Sequence, residues 1–366
     1  MIMLSKLKDF ILQLMAGANI TSSLLFLFSC WSVYATPAAF PRLSLFGLTF
    51  PFFLAVNVFF LCLWLIFYIR YAWISGVALL LSFFYIRDYI PFNIRKEPPK
   101  DALKVLSYNV AYFGTDAQSK AGEDNEILQY LLRSDADIIC LQEASGTTRN
   151  LLDKKMKAAG YHVPPVIDQG KEMLEHAYFK MPILSAEAVK YDSETNGTIA
   201  YHVLYQGDTL LVVNNHLESN RLSPEDKTAY KSMLLDPQKE TMRNGMRLLI
   251  QKMSHASAIR SPQVDIVAKY IKRDRSSSVI VCGDLNDSPI SYTCRRFGEQ
   301  LESAFVASGN GPGFSYNKDL FYVRIDHIFY SRNLKSYNTQ IDRSIKTSDH
   351  YPLITYINKE KISGKD

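Results

Sequence analysis

The chain has 366 residues, 48% of them hydrophobic, with 41 Lys/Arg against 36 Asp/Glu. Seven of those basic residues and three of the acids lie in residues 1–98, which leaves 34 and 33, a net charge of +1, for residues 99–366. A C-terminal part so near neutral lacks the large basic excess of a dedicated nucleic-acid binder, and the length allows more than one domain.

Three apolar stretches come first, over residues 16–35, 43–69 and 71–86. A helix crossing the bilayer core needs about 20 apolar residues, so the first two qualify and the third is marginal. A cleaved signal peptide fits poorly, because no small-residue cleavage site opens onto a polar sequence. Residues 1–90 are therefore expected to form a membrane anchor of two to three transmembrane helices in a plasma or inner membrane, with the lipid bilayer as partner. The side stays open. Three crossings with the N-terminus inside leave Lys6, Lys8 and Arg70 inside against Arg42, Arg87, Arg95, Lys96 and Lys100 outside, which opposes the positive-inside tendency. A third segment that re-enters would reverse the parity.

FNIRKEPPKDA, residues 92–102, follows, and its charges and paired prolines mark an exposed, extended linker, placed at residues 91–101. Residues 102–366 then alternate short β-branched runs with helical patterns. Strands are expected over 103–110 (LKVLSYNV), 136–143 (ADIICLQE), 209–217 (TLLVVNNHL), 278–285 (SVIVCGDL) and 324–331 (RIDHIFYS). Helices are expected over 125–134 and 263–273, the latter with Val264, Val267, Ala268 and Ile271 on one face. The five cysteines show no paired spacing and read as buried free thiols.

These strands end in polar groups: Asn109, Glu143, His216, then Asp284 with Asn286. The run RIDHIFY adds Asp326, and TSDHYPL brings Asp349 with His350. One such end is ordinary, since Asp and Asn favour turns. Six ends carrying only carboxylate, carboxamide or imidazole point to one site, because strand ends on one edge of an α/β domain converge. Oxygen-rich ligands such as Glu143, with Asn109 and Asp349 nearby, suit a hard divalent cation, magnesium with manganese as the alternative. That cation would assist phosphate ester hydrolysis. Asp284 and Asn286, two apart on an extended segment, are expected to point the same way, and a histidine beside a carboxylate can act as a base near neutral pH.

The pieces LSYNV, LQE, NNHLES, GDLND, RIDHIF and SDHYPL, in this order over about residues 103–353, resemble the endonuclease/exonuclease/phosphatase superfamily. That superfamily includes deoxyribonuclease I-like nucleases, neutral sphingomyelinases and inositol-phosphate phosphatases. The resemblance implies an α/β fold of two facing mixed β-sheets flanked by helices, a four-layer sandwich. It implies that Glu143 binds the metal with Asn109 helping, that Asp284 orients the attacking water and that Asn286 binds phosphate. His350 would pair with Asp326 as the acid–base element and Asp349 would lie in the metal shell. His216 would steady the phosphate or protonate the leaving group.

Two features depart from the family. The stretch EMLEHAYFKMPILS offers no placeable serine, though its Glu175 could support His216, and residues 223–261 resemble nothing specific. The second half of that insertion puts Met242, Met246, Leu249 and Met253 on one helical face, with Arg243, Arg247 and Lys252 to the sides. Such a helix either packs on its own domain or forms a lid or membrane-surface element at the rim of the site. His327 alternates to the opposite face from Asp326 and is expected to point away.

The leading expectation is a membrane-anchored, metal-dependent phosphoesterase, acting on a phosphodiester or phosphomonoester of a lipid head group or small phosphate ester. A tethered nuclease, with DNA or RNA as substrate, is the alternative, and a catalytically inactive binding domain the third reading. No protein partner is inferred. Clustered buried carboxylates argue against the inactive reading, since they are costly unless a cation balances them.

Overall fold

The computed structural model describes residues 2–114, 122–167, 173–193, 196–223, 226, 228, 239–318 and 321–359. The N-terminal part folds into α1 (Ile2–Trp31), a short α2 (Pro41–Ser44), α3 (Phe50–Phe67), α4 (Ala72–Leu81) and α5 (Phe83–Tyr89). Two helical stretches, Lys6–Tyr34 and Pro41–Phe67, are long and apolar enough to cross a membrane. The marginal third stretch is a broken pair, Ile69–Leu81 and Phe83–Tyr89, bent by 64°.

Buried polar side chains tie these helices together. Asn19 donates to Ser75 Oγ (2.8 Å) and accepts from Trp64 Nε1 (2.8 Å), while Ser23 donates to Asn57 Oδ1 (2.7 Å). Small and amide side chains of this kind hold apolar helices side by side where hydrophobicity alone discriminates poorly. Apolar contacts sort the two ends of the bundle. Leu12, Trp64 and Ala72 cluster at one end, and Phe26, Cys30, Phe50 and Ala78 meet Ile290 of the following domain at the other. Hence α1 and α4 run toward the domain and α3 runs away from it.

Residues 91–99 form no regular element and Lys100 and Asp101 make a turn, with Phe92 and Ile94 exposed. One residue in this linker is clamped: the Asn93 N–H donates to Asn310 Oδ1 (2.6 Å), and Nδ2 donates to the Val306 and Gly309 carbonyls (3.0 and 2.6 Å).

The domain contains β1 (Leu103–Asn109), α6 (Glu126–Ser134), β2 (Ile138–Gln142), α7 (Gly146–Ala158), β3 (His176–Phe179), β4 (Ile183–Ala188), β5 (Gly197–Tyr205) and β6 (Asp208–His216). Then come α8 (Lys239–Arg273), β7 (Ser278–Asp284), α9 (Tyr292–Gly298), β8 (Leu301–Ser303), α10 (Ala304–Ser308), β9 (Tyr316–Lys318) and β10 (Phe321–Val323). β11 (Asp326–Ser331), β12 (Leu334–Ile341) and β13 (Leu353–Lys359) complete it. One sheet has the order β12-β13-β1-β2-β3, the other β4-β5-β6-β7-β11-β8, and β9 pairs with β10. The pairs β1–β2 and β6–β7 are parallel. A parallel pair needs a long crossover, and α6 and α8 lie within those two connections.

Alternation along each strand builds the layers. Val105, Ile138 and Cys140 of one sheet meet Val212, Ile280 and Cys282 of the other in a shared core. Leu106, Ile139 and Leu141 turn outward onto Ile127, Leu131 and Leu152 of α6 and α7. On the far side, Leu211, Val213, Val279 and Val281 pack on Val264, Val267 and Ile271 of α8, the face expected from the sequence. The result is two facing mixed sheets flanked by helices. The five cysteines are all free.

The expected insertion is not a separate element: its second half continues into α8 as one helix of 35 residues. Pro262 inside it removes the amide that would serve the Ala258 carbonyl, and Ser261 Oγ donates there instead (3.3 Å). The expected apolar face is not a uniform packed stripe. Leu249 is buried and Met253 half-buried, whereas Met246 is 44% exposed. The Met242 and Arg243 side chains, and most of residues 224–238, lie outside the described residues.

Gly283 sits at φ +135° between the parallel β6 and β7, and a Cβ there would run into the Asn215 carbonyl. Gly283→Ala is expected to destabilise the protein by more than about 1 kcal/mol, read as a lower urea midpoint with an unchanged slope.

Candidate active site

Parallel strands deliver their C-terminal ends, and antiparallel neighbours their beginnings, to one edge. Asn109 ends β1 and Glu143 follows β2, while His216 and Asp284 end β6 and β7. Asp326 opens β11 and lies opposite Asp284, which in turn lies opposite His216. Asp349 and His350 come just before β13. All eight residues singled out in the sequence are thereby brought to the facing edges of the two sheets.

Asp284 Oδ2 is the centre. It lies 3.7 Å from His350 Nε2 and 3.7 Å from His216 Nε2, and it accepts from Asn109 Nδ2 at 3.1 Å. His350 Nδ1 is hydrogen-bonded to Asp326 Oδ2 at 2.8 Å. Glu143 Oε1 accepts from Asn109 Nδ2 (3.1 Å) and stands 3.7 Å from His216 Nε2. Asp284, Asp326, His216 and His350 are each at most 5% exposed. Glu143, His216, Asp284, Asn286, Asp349 and His350 line a cavity of about 240 Å³. A larger cavity, about 790 Å³, lies at the seam between α5 and α9 and holds none of them.

Three details differ from a simple strand-end picture. β7 stops at Asp284, and Asn286 lies beyond it at φ +51°, so a turn rather than an extended segment aims the two residues at the cavity. The Asn286 N–H donates to Asp284 Oδ1 (2.8 Å) and its Nδ2 to the Leu217 carbonyl (3.0 Å). Asn109 presents its amide nitrogen, not its oxygen, to the two carboxylates, and its Oδ1 accepts from the Ala111 N–H (3.1 Å). Glu143 also adopts a left-handed conformation, φ +55°, which costs a side chain with a Cβ about 1–2 kcal/mol.

Glu175 is buried behind His216, with Oε1 3.9 Å from Nδ1, beyond hydrogen-bond reach. His327 sits opposite Gly283 on the other face, bonded through Nε2 to the Asp287 carbonyl (3.0 Å). Beneath the site, Gln142 Nε2 donates to Asn214 Oδ1 (2.7 Å), and Asn214 Nδ2 donates to the Leu141 and His176 carbonyls (2.9 and 3.0 Å), joining the sheets.

Sequence reasoning missed Arg260, Asp287, Leu45 and Leu48, which also line the cavity. Arg260 is buried, with Nη1 3.4 Å from Asp287 Oδ2, and it donates to the Glu218 carbonyl (2.9 Å) and Asn220 Oδ1 (2.8 Å). It stands in α8, where no local motif marks it.

Burial raises the pKa of Glu143, and Asp349 and Asp326 add to that rise while Asn109 and His350 oppose it. Burial likewise raises Asp284, against the pull of His350. Burial lowers His216. For His350 burial also pulls downward, but Asp326 and Asp284 outweigh it and push the pKa up to about 10.

Four carboxylates share this site with two imidazoles, and Asp326 Oδ1 is buried without a hydrogen-bond partner. Unbalanced buried carboxylates are costly, and this oxygen-rich set suits a hard divalent cation. One ligand atom each from Asp284, Asp326 and His350 lie within 4.8 Å of one another. The Asp326–His350 hydrogen bond joins two of that trio, while Glu143, Asp349, Asp284 and His350 all line the cavity.

Two facing mixed sheets whose strand ends gather carboxylates and imidazoles around one small cavity define a class of metal-dependent phosphoesterases. The profile of the Endonuclease/Exonuclease/phosphatase family matches residues 106–350, and the chain belongs to that family. It is a metal-dependent phosphoric ester hydrolase. Residues 12–89 match a second profile, described as a domain of unknown function. No curated protein matches the sequence. Similar solved structures include humanized D. rerio TDP2 carrying 14 mutations, 15% identical over 71% of this chain and 100% of that one, TM-score 0.50. D. rerio TDP2 complexed with a single-strand DNA product is 18% identical over 71% and 100%, TM-score 0.49. The human Nocturnin catalytic domain with a bound sulfate anion is 17% identical over 73% and 98%, TM-score 0.48. At such identities the likeness concerns the fold alone.

A divalent cation held at the site, at about 100 times its dissociation constant, is expected to stabilise the protein by about 2.7 kcal/mol, measured as a raised denaturation midpoint. Most of that gain should vanish in Glu143→Ala.

Proposed function

We propose that this protein is a membrane-anchored phosphoesterase that uses magnesium, with manganese as the alternative. It would hydrolyse a phosphodiester or phosphomonoester bond of a lipid head group or small phosphate ester. Residues 1–90 serve as the anchor, 91–101 as the linker and 102–366 as the catalytic domain, placing it as an integral protein of a plasma or inner membrane. The observation that carries this reading is Asp284 centred between His216 and the Asp326-held His350, with Glu143 alongside. The two long apolar helices support the anchor.

A cation held by Glu143 and Asp349 would polarise a phosphoryl oxygen and offset transition-state charge. Asn109 keeps Glu143 in place through its amide. Asp284 accepts a hydrogen bond from the attacking water and aims it at phosphorus, and Asn286 holds a phosphate oxygen. His350, oriented by Asp326, moves the proton. His216, whose pKa burial lowers, donates a hydrogen bond from Nε2 to a phosphate oxygen or, in its protonated form, passes a proton to the leaving group. Two imidazoles whose surroundings push their pKa values apart suit such a division of roles.

Asp284→Ala and His350→Ala are each expected to lower kcat by at least about 100-fold, with circular dichroism unchanged. A chelator should abolish activity and added magnesium restore it. The test is product release by the full chain in detergent from lipid phosphates, inositol phosphates, DNA and RNA. Hydrolysis of nucleic acid alone would make the protein a tethered nuclease.

With α1 running toward the domain and α3 away from it, this reading puts the N-terminus and the catalytic domain on opposite sides of the membrane. In sealed vesicles, external protease should therefore remove a tag at one end and spare a tag at the other.

A further inference from the structure

The turn between α1 and α3 reaches into the catalytic cavity. Leu45 and Leu48 line the same space of about 240 Å³ as Asp284 and His350, and with Leu222, Met253, Val323 and Ile325 they form an apolar wall beside the polar one. The turn is fixed to the domain. Its Ala38 N–H donates to Ser261 Oγ (3.1 Å), and the Ser44 and Ser257 hydroxyls lie 3.5 Å apart. Arg295 Nε donates to the Val33 carbonyl (3.1 Å), and a Cβ on Gly47 would run into the Ile290 carbonyl. Ser257 and Ser261 stand on α8, which also carries Met253 and Arg260 of the cavity. Turn and cavity therefore share one rigid support.

The turn joins the domain-side ends of the two stretches long enough to cross a membrane. In a bilayer it lies where hydrocarbon meets head groups, and Phe40, Phe52 and Phe84 are exposed on the same end of the bundle. A polynucleotide gains little from leucines, because its binding relies on Lys and Arg at phosphates. A cavity of this size admits a phosphate and a small group but not a folded lipid, since sites enclosing a whole drug-sized ligand occupy about 300–1,000 Å³. A substrate that meets both walls has a phosphate at one end and an apolar chain that leaves the cavity.

We propose that the anchor's turn is a wall of the active site and that the substrate is a phosphate ester of a long-chain lipid. Its phosphate meets Asp284 and His350, and its chain runs out over Leu45 and Leu48 into the bilayer. This rests on the reading of the site as a membrane-held phosphoesterase. In the reaction, water oxygen bonds to phosphorus, the bond to the leaving oxygen breaks, and that oxygen takes up a proton.

The test uses the full chain in lipid nanodiscs with magnesium. Its probes are methyl and hexadecyl p-nitrophenyl phosphate, which share the scissile bond and differ in the tail, together with a long-chain phosphatidic acid and single-stranded DNA. For the wild type, kcat/KM on the hexadecyl ester should exceed that on the methyl ester by at least about tenfold, the scale of one or two buried apolar side chains. Leu45→Ser and Leu48→Ser should each raise KM for the hexadecyl ester several-fold while leaving its kcat near wild type, and Leu45→Met should restore the wild-type KM. Equal rates on the two esters, or an equal loss on both in the leucine variants, would overturn the lipid wall while leaving the phosphoesterase intact. Cleavage of DNA without either ester would also overturn it. Absence of hydrolysis on every probe would instead sink the phosphoesterase reading, and this proposal with it.

Discussion

Four carboxylates and two imidazoles packed at the facing edges of two sheets are the constraint on which this molecule turns. Asp284 and Asp326 are almost fully buried, and both face His350. Like charges gathered out of water repel and lose hydration, so such a cluster persists only if the scaffold holds it and positive charge enters. His350 supplies part of that charge, and a divalent cation suits the rest of the set. The left-handed backbone at Glu143 and the close contact of Gly283 with Asn215 show how tightly the scaffold is drawn around the group.

That scaffold follows from strand direction. In each sheet a parallel pair, β1–β2 or β6–β7, is flanked by an antiparallel strand, β13 or β11. Ends of the parallel strands and beginnings of the antiparallel ones fall on one edge. The amide layer of Gln142 and Asn214 locks the two sheets just beneath. The crossover α8 covers the second sheet and extends past it to meet the N-terminal helices. One helix thereby connects the domain core, the catalytic rim and the apolar bundle.

Much of the domain was legible in its sequence for a physical reason. The strands expected there, now β1, β2, β6, β7 and β11, are central and covered on both faces, so they read as continuous apolar runs. β4, with the sequence ILSAEA, lies at an edge with half its residues exposed, and β12 is interrupted by a register shift between Tyr337 and Gln340. Neither presents a clean run or a clean alternation. Hydropathy does not reveal the 64° bend that breaks the third apolar stretch into Ile69–Leu81 and Phe83–Tyr89.

For the site, the residue types at strand ends were enough to name Asn109, Glu143, His216, Asp284, Asn286, Asp326, Asp349 and His350, since polar groups closing buried strands leave a local mark. How those groups face one another is a different kind of fact. The turn that re-aims Asn286, the outward amide of Asn109, Arg260 beside Asp287 and the leucines of the α1–α3 turn arise from contacts between segments far apart in the chain. Local pattern determined which elements form and which chemistry ends them, because periodicity and residue type act over a few positions. Only the tertiary structure decided what shares the cavity, because packing two sheets, a long helix and an apolar bundle together joins residues that no spacing rule connects.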